Sequence, residues 1–168
     1  MSKMIIMRGL PASGKSTKAK ELVESYGNTV RLNRDLIRTM LHFDKFTGRN
    51  EGMTVDAVRN LAAIFLKDGI NVIIDDTNLS PGTLQSWKDL AKSMDAKLEY
   101  HDFFDVSVEE CVNRDRNREK SVGEHVIKEM ALRYLDYLKG QDVILCDLDG
   151  TLADISHRLH FAKGEKLD

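Results

Sequence analysis

What this chain has little of narrows the field first. It carries only two cysteines, Cys111 and Cys146, far apart in the sequence. That excludes a disulfide framework, matches no metal-ligand spacing, and fits reduced thiols in a cytoplasmic protein. No apolar run approaches the roughly 18 residues that a membrane-crossing helix needs. The N-terminus shows no signal-peptide pattern, so neither membrane insertion nor export is expected. Charge of one sign is also lacking, with 25 basic against 27 acidic residues and a net charge of −2. Such a balance argues against wholesale nucleic-acid binding while leaving room for a local basic cleft. There is no internal repeat and no low-complexity tract. What remains, 168 residues with 42% hydrophobic and 31% charged side chains, suits one α/β domain with little to spare.

The most informative segment present is GLPASGKST, Gly9 to Thr17. It satisfies the P-loop pattern GxxxxGK[ST], with Gly9, Gly14, Lys15 and Ser16 on the required positions. Its context fits as well, because Met4-Ile-Ile-Met7 reads as a buried strand and the residues from Lys18 open a helix. Glycines let the backbone turn tightly, so that successive N–H groups converge on phosphates at the positive end of that helix. Gly9, Ala12, Ser13, Gly14, Lys15, Ser16 and Thr17 would form the cradle. Lys15 would neutralise the β- and γ-phosphates, and the Ser16 hydroxyl would ligate Mg²⁺. A nucleoside triphosphate, ATP or another NTP, is the expected ligand.

Strands and helices alternate along the rest of the chain. Thr29–Leu32 is a short strand, followed by helical spacing of Leu36, Ile37, Met40 and Leu41. Residues 43–53, with Gly48 and Gly52, read as an irregular loop, and Thr54 as the cap of the next helix. Asn71–Asp75 is an apolar run of the kind that forms an interior parallel strand. Ser80-Pro81 starts a helix, and the Leu84/Trp87/Leu90 spacing is core packing. Leu98–Phe104 is a strand, with Phe103 and Phe104 in the core. Ser107-Val-Glu-Glu110 is a capping-box pattern, and a helix over 124–138 and a strand at Val143–Cys146 complete the series. The fold class is therefore α/β, a P-loop NTPase with a parallel sheet flanked by helices on both faces.

Candidate chemistry gathers at the strand ends. Asp35 follows the second strand and suits a proton acceptor for an attacking hydroxyl. Arg38, three residues on, shares its helical face and suits an acceptor phosphate. An acid complementing the helix dipole beside a surface arginine is the plainer reading. Asp75-Asp76-Thr77-Asn78 ends the third strand, where many P-loop proteins place an acid near Mg²⁺. Arg114 and Arg118, four apart, would face one way on a helix and could close over the phosphates. A solvated charge run is the alternative there.

Taken in order, GLPASGKST, NRDLIR at 33–38, DDTN at 75–78 and the arginine segment followed by KSV at 120–122 resemble the kinase domain of the bacteriophage 5′-polynucleotide kinase/3′-phosphatase family. The resemblance covers residues 1–140. It implies that Lys15 and Ser16 hold donor phosphates and metal, and that Asp35 is the general base for a 5′-hydroxyl. It further implies that Arg38 contacts the acceptor phosphate, that Asp76 supports the site, and that Arg118 is the lid arginine, with Arg114 a weaker match.

From Val143 the chain reads VILCDLDGTL, similar to the first motif of haloacid-dehalogenase phosphatases. By that likeness Asp147 is a nucleophile and Asp149 an acid/base, with Mg²⁺ between them. Residues 141–168 are then the start of a truncated phosphatase domain, expected to show no phosphatase turnover. His157 and His160 read as surface residues. The expected activity is γ-phosphate transfer from an NTP to the 5′ end of DNA or RNA. A small-metabolite kinase and a non-catalytic NTP-binding switch are the rivals. Oligomeric state stays open, a homo-oligomer included, because helix faces that pair subunits look like those that cover a sheet.

Overall fold

Met4, Ile5, Ile6 and Met7 are all fully buried, and their alternation explains the layering of the domain. In a strand successive side chains point to opposite faces, so a continuous apolar run needs cover on both. Met4 and Ile6 pack with Val72, Ile74, Val58, Ala62, Leu66, Trp87 and Leu90. Ile5 and Met7 pack on the other side with Ile73, Ala19 and Leu22. This computed structural model describes residues 1–135. The chain divides after Glu129, and the strands among the described residues lie in the first unit, Met1–Glu129.

The elements run β1 (Lys3–Arg8), α1 (Lys15–Ser25), β2 (Thr29–Leu32), α2 (Arg34–His42), α3 (Gly48–Lys67), β3 (Asn71–Ile74), α4 (Pro81–Ser93), β4 (Lys97–Asp102), α5 (Val108–Arg116) and α6 (Glu124–Met130). Ala131–Leu135 follows as a π-helical turn. Four parallel strands are ordered β2-β3-β1-β4. β1 is interior, with Ile5 beside Ile73 on one flank and Glu99 on the other. α3 and α4 supply the core of one face and α1 that of the other. The expected α/β sheet is therefore present, and β1, β2, β3 and β4 all deliver their carboxyl ends to one edge. Trp87 and Leu90 are buried in the core as their spacing predicts. Among the described residues no helix is long and apolar enough to cross a membrane.

Three boundaries differ from the sequence reading. The largest concerns 43–53, where a loop was expected. Helix α3 begins at Gly48, and its cap is Thr47, whose Oγ1 accepts from the Asn50 N–H at 3.1 Å. Two glycines in a helix cost about 1 kcal/mol each relative to alanine. The cap offsets part of that cost, and Glu51, clasped by two arginines, adds anchorage. Thr54 is not a cap but a fully buried helix residue, its hydroxyl donating to the Asn50 carbonyl. Helix α5 ends at Arg116, so Arg118 does not share a helix face with Arg114. The strand expected over 98–104 is β4 at 97–102; Phe103 still packs on the core, and Phe104 is half-buried with the Arg8 guanidinium 5.2 Å from its ring. The end of the helix expected over 124–138, the strand at 143–146, the domain boundary at 140, and Cys146, Asp147, Asp149, His157 and His160 lie outside the described residues.

Because Thr47 closes the first turn of a glycine-bearing helix, Thr47→Ala is expected to cost about 1 kcal/mol. Urea unfolding measures it. The control Thr47→Ser, which keeps the capping hydroxyl, should lose less.

Candidate active site

The loop after β1 has a backbone that only its own residues allow. Gly9 has φ 152°, and a Cβ there would stand 2.9 Å from both the Phe103 Cβ and the Ser13 Oγ, so any side chain is excluded. Ala12 adopts a left-handed φ of 61°, which costs a non-glycine residue about 1–2 kcal/mol. Gly14, also left-handed, is the N-cap of α1 and offers no side chain to close the helix. No acidic residue sits in the first turn of α1 either. Its N-terminal N–H groups therefore stay open toward an anion. The Gly9 N–H bonds to the Thr77 carbonyl at 3.1 Å, tying this loop to the end of β3.

Lys15 is buried within that loop. Its ammonium donates to the Leu10 carbonyl, and to the Ser13 hydroxyl at 3.3 Å. Burial lowers its pKa from 10.5 to about 8, against the pull of Asp75 and Asp76. Ser16 and Thr17 follow on the first turn of α1, both exposed.

Two carboxylates stand at the end of β3. Asp75 is 1% exposed, and its Oδ2 accepts from Arg31 Nε at 2.7 Å. Its Oδ1 is buried without a hydrogen-bond partner, an uncommon state for a carboxylate oxygen. Asp76 directs both oxygens at Arg34, to the backbone N–H at 3.1 Å and to Nε at 2.9 Å. Burial pushes the Asp76 carboxyl up, with Arg34 opposing it. Asn78 locks the turn after these acids. It is buried at φ 46°, donates to the Met7 carbonyl at 2.8 Å, and accepts from Trp87 Nε1 at 3.2 Å.

Helix α2 starts beside them. Asn33 caps it by accepting from the Leu36 N–H at 3.0 Å, and its amide donates to the Asp75 carbonyl. Asp35, in the first turn, is largely exposed, and Arg38 Nη1 reaches it at 2.6 Å. Arg38 is itself held by Glu51 of α3 through two contacts of 2.8 and 3.1 Å. Glu51, then Asp35, raise the already high basicity of that guanidinium. One chain of ion pairs thus runs Asp76–Arg34–Glu51–Arg38–Asp35.

The arginine segment approaches from the other side. Arg114 Nη1 lies 3.9 Å from where a Cβ on Gly14 would stand. Arg118 is close enough to Lys15 for its charge to disfavour the ammonium. Arg116 turns away to Glu124 at 2.9 Å. Asp115, 1% exposed, gathers the segment by accepting from Ser121 Oγ at 2.6 Å, Gly123 N at 2.9 Å and Val122 N at 3.0 Å. Burial works against ionisation of Asp115, yet these donors hold its pKa below the ordinary value.

The structure brings together Gly9, Ala12, Ser13, Gly14, Lys15, Ser16, Thr17, Asp76, Arg114 and Arg118 around the P-loop. Asp35 and Arg38 join them through the ion-pair chain. Sequence reasoning missed Glu51, hidden in a presumed loop, and Arg31, Arg34 and Asp115, whose partners lie on other strands or turns. The residues fit a triphosphate and a metal: an uncapped helix start, a buried ammonium, a hydroxyl at Ser16 and an orphaned carboxylate oxygen at Asp75.

This sheet with its loop defines a P-loop NTPase. Residues 4–136 match the AAA domain family, and the chain belongs to that family. It is 28% identical over 175 residues to a candidate bifunctional polynucleotide kinase/RNA ligase of Autographa californica nuclear polyhedrosis virus, covering 89% of this chain and 25% of that protein. A solved chain of the Pnkp1/Rnl/Hen1 RNA repair complex is 32% identical, with a TM-score of 0.73 over 83% of this chain and 46% of its own. The Mycobacterium tuberculosis APS kinase CysC, solved with AMPPNP and APS, shares the fold at 20% identity and a TM-score of 0.55, over 69% of each chain. The chain thus spans a quarter of the viral relative and just under half of the repair-complex chain.

The lowered pKa of Lys15 has a signed consequence. The buried ammonium burdens the free protein below pH about 8, and that burden is relieved as pH rises toward 10.5. A triphosphate in the cradle favours the charged form and raises the pKa again. Binding of ATP at a pH of about 8.5 should therefore take up protons, up to about one per site, and uptake should fade near pH 7. Calorimetry in two buffers of different ionisation enthalpy reads this directly; no uptake at the higher pH would contradict it.

Proposed function

We propose that this chain transfers the γ-phosphate of an NTP, ATP in the first instance, to the 5′-hydroxyl end of DNA or RNA in nucleic-acid end repair. The observation that carries the reading is the pair Asp35–Arg38. An exposed carboxylate stands beside a guanidinium that Glu51 has already oriented, at the same sheet edge as the P-loop. The polynucleotide kinase and RNA repair relatives support the nucleic-acid acceptor.

In this reading the P-loop N–H groups and Lys15 hold the donor phosphates. Ser16 and the free oxygen of Asp75 would hold Mg²⁺, which supplies charge neutralisation on the phosphates. Arg38 holds the phosphate next to the acceptor's end, and Asp35 takes the proton as the 5′-oxygen bonds to the γ-phosphorus. The bond from that phosphorus to the β–γ bridging oxygen breaks, and NDP leaves. Arg118, with Arg114 beside the P-loop, stabilises the charge that develops on the transferred group. Asp76 supports the acceptor side of the site by positioning Arg34 and the start of α2. An acceptor that is a strand end needs few phosphate contacts, which suits a net charge of −2. By the same reading residues 1–140 are the kinase domain, and residues 141–168, with Asp147 and Asp149, begin a haloacid-dehalogenase-type phosphatase domain.

The test incubates the chain with Mg²⁺ and γ-labelled ATP, offering a 5′-hydroxyl oligonucleotide beside a panel of sugars and nucleosides. Label is expected on the oligonucleotide. Asp35→Asn should lower transfer by about 10²–10⁴-fold while ATP binding persists. Label on a small molecule alone would replace this reading with a metabolite kinase. ATP binding with no transfer to any acceptor would favour a switch.

A further inference from the structure

Helix α2 and the turn after it expose an apolar surface that none of the described elements covers. Helix α2 has no buried residue at all. Leu36, Met40 and Phe43 recur at i, i+4 and i+7, which places them on one stripe, and all three are exposed. Phe46 adds a second ring to this segment. Phe43 is 89% exposed and Phe46 72%, among the most exposed large apolar side chains described. Phe43 also occupies the left-handed C-cap position of α2 at φ 50°, where glycine or asparagine is the ordinary choice. Neither packing nor backbone preference accounts for a phenylalanine there.

The surroundings indicate what the rings meet. The Arg38 guanidinium stands 5.5 Å from the centre of the Phe46 ring, and the same guanidinium contacts Asp35 at 2.6 Å. One ring is therefore a single side chain away from the candidate base. Lys45 and Arg49 flank Phe46 in the sequence, both exposed and without an ion-pair partner among the described residues. Lys120 reaches the same turn, 2.8 Å from Asp44. Exposed rings interleaved with cations are what a single strand of nucleic acid requires: bases stack on the rings while cations follow the backbone. A protein-docking patch would favour fewer lysines at its centre.

We propose that Phe43 and Phe46 form a stacking subsite for the nucleobases next to the 5′ end of the acceptor strand. The proposal rests on the polynucleotide kinase reading and adds to it the groups that grip the acceptor's bases. The rings hold the strand, and Arg38 carries the strand end from Phe46 to Asp35.

The experiment measures binding of the full chain to a fluorescent single-stranded oligonucleotide with a 5′-hydroxyl, by anisotropy, alongside steady-state phosphorylation of the same strand. Variants are Phe43→Ala, Phe46→Ala, the double change, and Phe46→Tyr, which keeps a ring. A second oligonucleotide lacks the bases of its first three nucleotides. Loss of each ring is expected to weaken binding and raise KM by about tenfold for the intact strand. The abasic strand should bind weakly and be insensitive to either change, kcat should stay the same, and Phe46→Tyr should bind like the starting chain. Equal binding by all variants, or equal losses on the abasic strand, would overturn the subsite. So would a fall in oligomer mass on light scattering with nucleic-acid binding unchanged, which would assign the rings to a protein contact. A ring-dependent oligonucleotide affinity with no phosphate transfer would leave the subsite standing and sink the kinase reading. Transfer with no ring dependence would do the reverse.

Discussion

The buried carboxylates at the end of β3 hold the site in place. Asp75 and Asp76 sit one and two residues past an apolar strand that the sheet encloses on both sides, and each takes an arginine from the β2–α2 segment. An ion pair in such a place gives little net stability, because desolvation offsets most of the attraction. Its value is positional. Removing either carboxylate strands a half-buried guanidinium, so the β2–α2 junction has one arrangement it can tolerate. That arrangement presents Asp35 to solvent at the carboxyl edge of the sheet. The relay continues through Arg34 to Glu51 and Arg38, so a residue of α3 sets the geometry of a guanidinium on α2.

The P-loop works on the opposite principle. Where each acid at the end of β3 is paired with an arginine, the loop after β1 holds its lysine against neutral groups. Ala12 is held in a left-handed conformation, α1 starts without a side-chain cap, and the Lys15 ammonium is buried against a carbonyl and a hydroxyl. Each costs stability in the free protein, and an anion in the cradle would offset the last two. The rigid sheet beneath, with Met4 to Met7 fully buried, keeps these costs from being relaxed by a change of shape. Local strain of this kind is typical of sites built to bind.

Sequence and structure agree where the signal is local. The P-loop reads directly because its glycines and lysine are consecutive and their spacing is a backbone requirement. The apolar runs of β1 and β3 read directly because burial on both faces leaves no alternation to misjudge. Ser107 and Pro81 mark helix starts by chemistry confined to one turn. The failures share a cause as well. Gly48 and Gly52 are poor helix formers, and the Thr47 cap, the Arg38 grip on Glu51 and the burial of Thr54 together outweigh that preference. Arg118 looked like a helical neighbour of Arg114 by spacing. The chain instead leaves the helix because Asp115 draws the next turn back onto itself.

By itself the sequence determined the fold class, the nucleotide cradle and the candidate acid at Asp35, since each depends on residues adjacent in the chain or on a period that repeats along it. The tertiary structure alone decided which charges meet. Arg31 belongs to Asp75, Arg34 to Asp76 and Arg38 to Glu51, and one oxygen of Asp75 to nothing. Those partners lie up to 44 residues apart, and no local preference encodes them. They follow from four parallel strands ending at one edge, where electrostatics at contact distance selects among charges that the sequence presents only in a line.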